Sequence, residues 1–235
     1  DIIGKHIKDI THPEDYGQGA QWRGRLADGA NKSMASEKRF LRKTGEVVWA
    51  RRTMSMVYDN SGKPEYLVIV VEDITERKLA EKRQAMEHAV TRVLAEAQTL
   101  AEASPRIIQT ICQTMGWHCG TRWEWDRETG LLRCREGWGT ETPEIREFIA
   151  SSVQRTVMPE AGNNQGLVRR TVAAGKPVWV TDIAKDKSLK RAALVAKAGL
   201  HGFFGFPLML GNEVLGVMEF FHRDAREPDD GLIAI

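Results

Sequence analysis

Hydrophobic and polar positions alternate in the first part of the chain, and this spacing predicts β-strands. The segment Val47–Tyr58 has apolar residues at alternate positions, with Arg52 breaking the pattern, and the shorter run Ser36–Lys43 precedes it. Gly45 lies between the two runs and permits a tight turn, since glycine adopts backbone angles that other residues resist. The two runs therefore predict an antiparallel hairpin with one mostly apolar face.

A third run, Tyr66–Val71, is apolar at every position. Such a strand ordinarily lies inside a sheet with a neighbour on each side. Only one neighbour is available in this sequence, so we expect the other to precede Asp1. The chain starts with Asp1 rather than Met, and residues 227–235 are typical of a helix that has just begun. We therefore expect the chain to be a piece of a longer protein.

The sequence then becomes highly charged and contains no Gly or Pro from Glu72 to Ser104. This composition predicts a long helix over 75–104. Asp73 and Glu76 have the spacing of a capping box, in which each side chain accepts a hydrogen bond from the backbone of the other residue. The strand can then pass directly into the helix, so we expect Asp73, Thr75 and Glu76 to couple the sheet to the helix.

Apolar residues recur along this helix at the spacing of a coiled coil. They are Leu79, Met86, Val93 and Leu100, with Val90 at the complementary position. A seven-residue recurrence of this kind favours a dimer of paired helices. The alternative is a single amphipathic helix that packs on its own domain.

The remainder of the chain mixes predicted helices and strands. Strand-like runs occur at 117–126, 131–138, 177–183, 202–210 and 214–221, and helical runs at 104–116, 144–157, 166–176 and 189–199. This order of elements predicts an α+β fold with antiparallel hairpins.

Two families are recognisable in these segments. The stretches "GKHIKDITHPED", "EKRFLRKTGEVVW" and "YDNSGKPEYLVIVVEDITERK", with the closing Asp73-x-Thr75 motif, resemble the second half of a PAS domain. The stretches "GWHCGTRWEWD", "GLVRRTVAAGKPVWVTDI" and "AGLHGFFGFPLMLGNEVLGVMEFF" resemble a GAF domain of bacterial multi-sensor kinases. The resemblance implies an incomplete three-stranded PAS domain at 1–74, a signalling helix at 75–104 and an antiparallel-sheet GAF domain at 88–235 whose last helix is truncated.

Composition and net charge limit the classes of partner that we expect for this segment. The chain of 235 residues is 42% hydrophobic and 28% charged, with a formal charge of +2, so nothing favours nucleic acid or membrane contact by this segment. Cys112, Cys119 and Cys134 lack the spacing of zinc ligands, and we expect them to be reduced thiols in a core. We expect a cytoplasmic location, with a membrane anchor of the parent allowed elsewhere.

The unusual number of tryptophans raises the question of a ligand cavity. Trp123, Trp138 and Trp179, with Phe204, could line a GAF pocket in which Arg133 or Arg135 is the polar anchor. The alternative is that these rings fill the core. The sequence lacks the flavin, bilin, haem and cyclic-nucleotide signatures of the two families. It therefore does not indicate which cofactor, if any, the chain binds.

No catalytic motif stands out. His88 lies on the predicted helix but lacks the residues that follow the phosphorylated histidine of kinases, and we expect it on a solvated face. The resemblance implies a sensory segment of a two-component histidine kinase, with a homodimeric helix passing the signal to a downstream transmitter domain. The alternatives are the sensory region of a diguanylate cyclase or phosphodiesterase, and a dimerisation relay that binds no ligand.

Overall fold

The computed structural model describes residues 4–19, 33–126, 128–157, 166–187, 189 and 191–233. The chain divides into two compact units, Asp1–Glu81 and Lys82–Ile235. Each combines helices with an antiparallel sheet, so the predicted α+β class is confirmed. No helix in these ranges is both long enough and apolar enough to cross a membrane.

The first unit is built on a three-stranded antiparallel sheet. Its strands are β1 (Ser33–Leu41), β2 (Val47–Tyr58) and β3 (Pro64–Asp73), paired in that order. Short 3₁₀ helices at Ile7–Ile10 and Pro13–Gly19 precede them. The predicted hairpin forms as the alternation of β2 requires, because Val48, Ala50 and Met54 are buried on one face.

Strand β3 has β2 as its partner and lies at the edge of the sheet formed by the described residues. Its apolar side chains are accordingly exposed, with 61% of Val70 accessible to solvent. The sequence pattern predicts a strand neighbour on each side of β3, and the described residues supply one of the two. The second neighbour of β3 stays a prediction.

Two helices follow, as predicted, but the boundary between them lies before Leu100 rather than at Ser104. Helix α1 spans Thr75–Glu96 and helix α2 spans Leu100–Met115. The prediction of an unbroken helix to Ser104 is therefore wrong. Thr99 caps α2 by accepting a hydrogen bond from the Glu102 N–H at 3.2 Å, and this cap requires an extended backbone that ends the preceding helix.

The second unit contains a six-stranded antiparallel sheet in the order β6-β5-β4-β9-β8-β7. These strands are β4 (Cys119–Asp126), β5 (Leu131–Gly139), β6 (Thr156–Val157), β7 (Val178–Val180), β8 (Gly202–Leu210) and β9 (Glu213–His222). The other helices are α3 (Pro143–Val153), α4 (Leu167–Ala174), α5 (Ala192–Lys197) and α6 (Asp230–Ile233), with a 3₁₀ turn at Ile183–Lys185.

The sheet of the second unit separates two cores. On one face, side chains of α1 and α2 pack against Phe204, Met218 and Phe220. On the other face, residues of α3, α4 and α5 pack against Phe203 and Phe221. The alternation of β8 and β9 places neighbouring aromatic residues in different cores, so both faces of this sheet are covered.

The three cysteines are buried and unpaired, as expected of core thiols. Burial raises the pKa of all three, to about 12 for Cys134, because the apolar surroundings disfavour a thiolate.

Candidate functional site

A cavity of about 300 Å³ lies in the second unit, on the sheet face that α4 covers. Part of its wall is apolar, formed by Trp123, Val157, Leu167, Val168 and Leu189. The rest is formed by Glu219, three arginines and smaller residues, namely Arg155, Thr156, Gly166, Arg169 and Arg191. A concave apolar site with a few polar groups is the usual form of a small-molecule site.

Glu219 is the polar centre of this wall and is fully buried. Its Oε2 accepts hydrogen bonds from Trp123 Nε1 at 2.7 Å and from the Thr121 hydroxyl at 3.1 Å. Its Oε1 is buried without a hydrogen-bond partner among the described residues. Burial raises the pKa of the Glu219 carboxyl, because water that would stabilise the charged form is excluded.

Strand register explains why these groups converge. Strand β4 pairs with β9 so that Thr121 lies opposite Glu219 and Trp123 lies opposite Val217. Residues at alternate positions of a strand share a face. The indole and hydroxyl donors of β4 therefore project from the same side of the sheet as the carboxylate of β9.

Arg191 is held beside this carboxylate by contacts to helix α3. Its Nη1 donates to the Ser152 hydroxyl at 2.8 Å, and its guanidinium lies 4.9 Å from the centre of the Phe148 ring. Its Nη2 lies 3.9 Å from Glu219 Oε2, and only 10% of the side chain is exposed. This distance is long for an ion pair, so Arg191 partly offsets the charge of the buried carboxylate and leaves its Oε1 available for a hydrogen bond.

Arg155 is the second cation of the wall and is half-buried. Burial lowers the pKa of Arg155, and the positive charge of Arg191 lowers it further. The two guanidinium groups are thus close enough to repel each other. Within the described ranges, the Arg155 side chain has neither a hydrogen bond nor an ion pair.

Of the pocket residues predicted from sequence, Trp123 lines this cavity and the others lie elsewhere. Phe204, Trp138 and Trp179 belong to the core on the opposite face of the sheet. Arg133 pairs with Asp126 at 2.6 Å and is 40% exposed. The structure therefore brings one of the five predicted pocket residues to this cavity, because strand alternation places the others elsewhere.

Sequence reasoning missed Glu219, Arg191 and Arg155. A signal for Glu219 was present, since it is the single charged residue in the otherwise apolar run from Val214 to Phe221. A charge in a strand that is buried on both faces needs a reason. Arg191 and Arg155 lie outside regular strands, and their convergence on Glu219 depends on tertiary structure.

The junction between the sheet of the first unit and α1 is a second candidate site. The Thr75 hydroxyl accepts from the Trp49 N–H at 3.0 Å and donates to the Trp49 carbonyl at 3.4 Å. Ile74 adds a backbone hydrogen bond to the same carbonyl at 2.8 Å. The start of α1 is therefore attached to β2 through Thr75 and Ile74.

Asp73 stabilises the same junction. Its Oδ1 accepts from the Thr75 N–H at 2.9 Å, and its Oδ2 lies 3.4 Å from Arg42. Hydrogen bonding from Thr75, with the nearby charge of Arg42, lowers the pKa of Asp73. The predicted capping box requires Asp73 to accept a hydrogen bond from the Glu76 N–H. In the structure Asp73 accepts from the N–H of Thr75, one residue earlier. Glu76 is exposed in the first turn.

The predicted seven-residue seam divides between different environments. Met86 and Val93 are buried in the core of the second unit, and Val90 packs against it. Leu79 is half-buried, and Leu100 lies on α2 and is exposed. The central seam residues therefore have packing partners within their own chain, as in the alternative that the sequence left open.

Comparison with known families assigns both units. Residues 97–234 match the GAF domain family, and residues 1–71 match the PAS fold family. The order PAS then GAF agrees with the resemblance drawn from the sequence motifs.

Curated relatives are signalling proteins of several kinds. A protein of Escherichia coli K12 named "Probable diguanylate cyclase DgcE" is 34% identical over 89 residues, or 37% of this chain and 8% of that protein. The sensor histidine kinase TmoS of Ectopseudomonas mendocina is 23% identical over 58% of this chain and 14% of its own. The methyl sulfide methyltransferase-associated sensor of Methanosarcina acetivorans is 26% identical over 94% of this chain and 21% of its own. The chain thus spans about a fifth or less of their length.

Solved structures agree on the fold of the second unit. The GAF domain of a phosphoenolpyruvate-protein phosphotransferase from Coxiella burnetii has a TM-score of 0.53 at 15% identity, covering 64% of this chain and 85% of that one. Free methionine-R-sulfoxide reductase from Neisseria meningitidis has a TM-score of 0.52 at 13% identity, covering 67% of this chain and 82% of that one. The chain belongs to the GAF domain family, with a PAS fold preceding the GAF domain.

Proposed function

We propose that this chain is the sensory segment of a sensor histidine kinase, in which the GAF cavity takes a small molecule and the PAS–helix junction relays the signal. PAS and GAF sensor domains and relatives named as sensors support the signalling role. The observation that carries the ligand-binding part is the unpartnered Oε1 of Glu219 in the cavity wall.

A buried polar atom without a partner costs about 1–3 kcal/mol. The unpartnered Oε1 of Glu219 lies next to a cavity rather than in a filled core. A ligand that hydrogen bonds Oε1 would remove the penalty, and that gain is available only in the bound state. Ligand binding would thereby favour one conformation of the GAF domain over others.

The relay in this proposal is α1 together with the junction at Asp73 and Thr75. The helix of 22 residues begins at a strand of the PAS sheet and contributes Met86 and Val93 to the GAF core. A change in GAF packing therefore acts on a helix whose first residues are hydrogen bonded to β2. Coupling of this kind needs a packed element shared by both domains.

The cavity part is tested by screening a metabolite library for compounds that raise the melting temperature of the 235-residue chain. Val157→Trp should abolish a genuine hit, because Val157 lines the cavity and a larger ring would fill it. Val153→Trp is the matched control, since Val153 is exposed on α3. Hits that survive Val157→Trp, or no hit at all, would contradict binding in this cavity.

A diguanylate cyclase is the second candidate for the parent protein. The 34% identity over 89 residues to a protein named as such favours it. Two assays on the full-length protein distinguish a histidine kinase from a diguanylate cyclase. They measure phosphohistidine formation from ATP and cyclic di-GMP formation from GTP. Cyclic di-GMP without phosphohistidine would replace the kinase assignment.

A homodimer through α1 belongs to the same proposal. With Met86 and Val93 buried in their own domain, the large apolar side chain that stays exposed in this part of the helix is Leu94, of which 53% is accessible. Light scattering on the chain and on Leu94→Lys tests it: a dimer weakened by Leu94→Lys is expected, and a monomer in the unmodified chain would refute it.

A further inference from the structure

We propose that the GAF cavity takes a small organic carboxylate with a hydroxyl next to the carboxylate, such that Arg155 and Arg191 bind the anion and Glu219 binds the hydroxyl. This inference rests on the proposed function, because it names the chemical class of ligand for the cavity described above.

The charge of the wall favours an anion. Among the described residues of the wall, Arg155 and Arg191 face the same cavity as one carboxylate, that of Glu219. Arg155 and Arg191 repel each other, and burial strengthens the repulsion because little water remains to screen it. An anion between them would relieve the repulsion, and the planar guanidinium fork matches a carboxylate in shape.

The two arginines differ in a way that suits recognition. Arg191 is fixed in place by Ser152 and Phe148 before any ligand arrives. Arg155 has no side-chain hydrogen bond or ion pair within the described ranges, so it is free to turn toward a bound anion. A preformed cation and an adjustable one together can close on a small carboxylate at little cost in side-chain ordering.

Glu219 favours a hydroxyl beside that carboxylate. Its Oε2 already accepts two hydrogen bonds, so any proton on the buried carboxyl lies on Oε1. Oε1 therefore accepts when Glu219 is ionised and donates when it is protonated. A ligand hydroxyl can donate to the ionised carboxylate and accept from the protonated carboxyl, whereas an ammonium group can only donate. Arg191 Nη2 lies 3.9 Å from Glu219 Oε2, so a carboxylate bound to Arg191 would lie beside the Glu219 carboxyl group.

The remaining wall limits the size of the ligand. A volume of about 300 Å³ is at the low end of the range of about 300–1,000 Å³ for small-molecule sites. Trp123, Val157, Leu167 and Leu189 would surround one compact apolar group. These walls offer a nucleotide-sized anion neither the room nor the polar contacts that it would need.

The test uses three probes that differ by one group each: mandelate, phenylacetate, which lacks the hydroxyl, and mandelamide, which lacks the charge. They are titrated into the 235-residue chain by calorimetry. Mandelate should bind, phenylacetate about fivefold more weakly and mandelamide about tenfold more weakly, since each loses one hydrogen-bonded or charged contact.

Variants assign the contacts. Arg155→Met should reduce mandelate affinity about tenfold and bring it close to that of mandelamide. Glu219→Leu should abolish the preference for mandelate over phenylacetate, whereas Glu219→Gln should keep it, because the amide N–H can donate to the hydroxyl while its oxygen accepts from Trp123 and Thr121. Arg146→Met is the matched control, because Arg146 is 69% exposed on α3 and lies outside the cavity. Circular dichroism on each variant excludes unfolding as the cause.

The outcomes separate this inference from the function on which it rests. If mandelamide binds as tightly as mandelate, and Val157→Trp abolishes both, the cavity is a ligand site but the carboxylate assignment is wrong. If phenylacetate equals mandelate, the role of Glu219 is wrong. If none of the three probes binds, the inference is overturned, while a neutral hit from the library screen would preserve the proposed function.

Discussion

The hydroxyl of Thr75 exchanges two hydrogen bonds with the backbone of Trp49, accepting from its N–H at 3.0 Å and donating to its carbonyl at 3.4 Å. A side chain at the start of α1 thus occupies the place that a backbone partner would take beside strand β2. This contact attaches the helix to the sheet at its first residue, so a shift of either element must strain or break it.

Thr75→Val tests this attachment with a side chain of the same shape. The variant loses both hydrogen bonds to Trp49, and the half-buried Trp49 N–H is left without them, at a cost of about 1–3 kcal/mol. We expect faster hydrogen exchange of the amides at 49 and 75–78. We also expect a weaker response of the full-length protein to its signal.

Asp73→Ala is the companion variant and should be milder. Asp73 is half-exposed and supports Thr75 from the side, and loss of a cap costs about 1 kcal/mol. An unchanged signal response in both variants, measured as phosphotransfer in the full-length protein, would argue against a relay through this junction.

Glu219→Gln should stabilise the folded GAF domain at neutral pH, because a neutral amide replaces the buried carboxyl group. Burial raises the pKa of Glu219 above the value in the unfolded chain, so the native state binds the proton more tightly. The stability from this group is present at low pH and is lost as pH rises through the native pKa. Glutamine has no charge to bury, so its stability should fall less over that range.

Urea denaturation of the wild type and Glu219→Gln at pH 5 and pH 8 measures the effect. The difference between the two proteins should be larger at pH 8. Equal differences at both values would mean that Glu219 is already ionised at pH 5 and adequately compensated by Arg191.

Met86→Lys distinguishes a core residue from a dimer contact. Met86 is 5% exposed and packs in the GAF core. A lysine there should cost about 3 kcal/mol or more, because replacing a core methionine with alanine alone costs about 2–5 kcal/mol. Leu94→Lys on the exposed side of α1 should cost less than about 0.5 kcal/mol in the monomer. Chemical denaturation that ranks the two variants in the opposite order would contradict this packing.

The strand pattern of the first unit could be predicted because alternation in β2 is local and directly reports one buried face. The pocket could not, because its position depends on register. A β-bulge between Arg122 and Trp123 shifts the pairing of β4 with β5 by one residue. Cys134 lies opposite Trp123 and shares its face, whereas Trp138 lies opposite Gly120 and is on the other face. Two tryptophans on neighbouring strands therefore lie on opposite faces, one at the cavity and one in the core.

The end of α1 illustrates a different limit. The run from Glu72 to Ser104 contains no residue that forbids a helix, so its composition supports an unbroken one. The break is produced by a competing cap, in which Thr99 binds the Glu102 N–H and Glu102 binds the Gln98 N–H at 3.1 Å. Thr99 followed by Glu102 has the spacing of a capping box, which is the local sequence signal for this helix start.

Lys38→Met should stabilise the first unit at neutral pH. Lys38 is buried, and burial, with the nearby charge of Arg52, lowers its pKa to about 8. Between about pH 8 and the ordinary lysine value near 10.4, the unfolded chain binds more protons than the native state, so wild-type stability rises with pH. Methionine avoids burial of the charge, at the loss of the hydrogen bond to Thr11.

The advantage of Lys38→Met in urea denaturation should therefore be largest at pH 7 and shrink by pH 10. Lys43→Met, in the exposed β1–β2 turn, is the control and should show no such trend. A constant difference across pH would indicate that Lys38 titrates normally in the native state.

The exposed strand β3 should make the chain prone to self-association. Its Tyr66, Val68, Val70 and Val71 are all more than 40% exposed, and its outer backbone groups have no strand partner among the described residues. An apolar edge strand recruits other strands, and a charge on it prevents this. Val70→Lys should therefore reduce association in concentration-dependent light scattering while leaving the melting temperature almost unchanged, because Val70 makes few contacts. Asn60→Lys, in the preceding exposed turn, adds the same charge away from the strand and is the control. If Val70→Lys lowers the melting temperature by several degrees without affecting association, the strand is covered in solution by a contact that stabilises the fold.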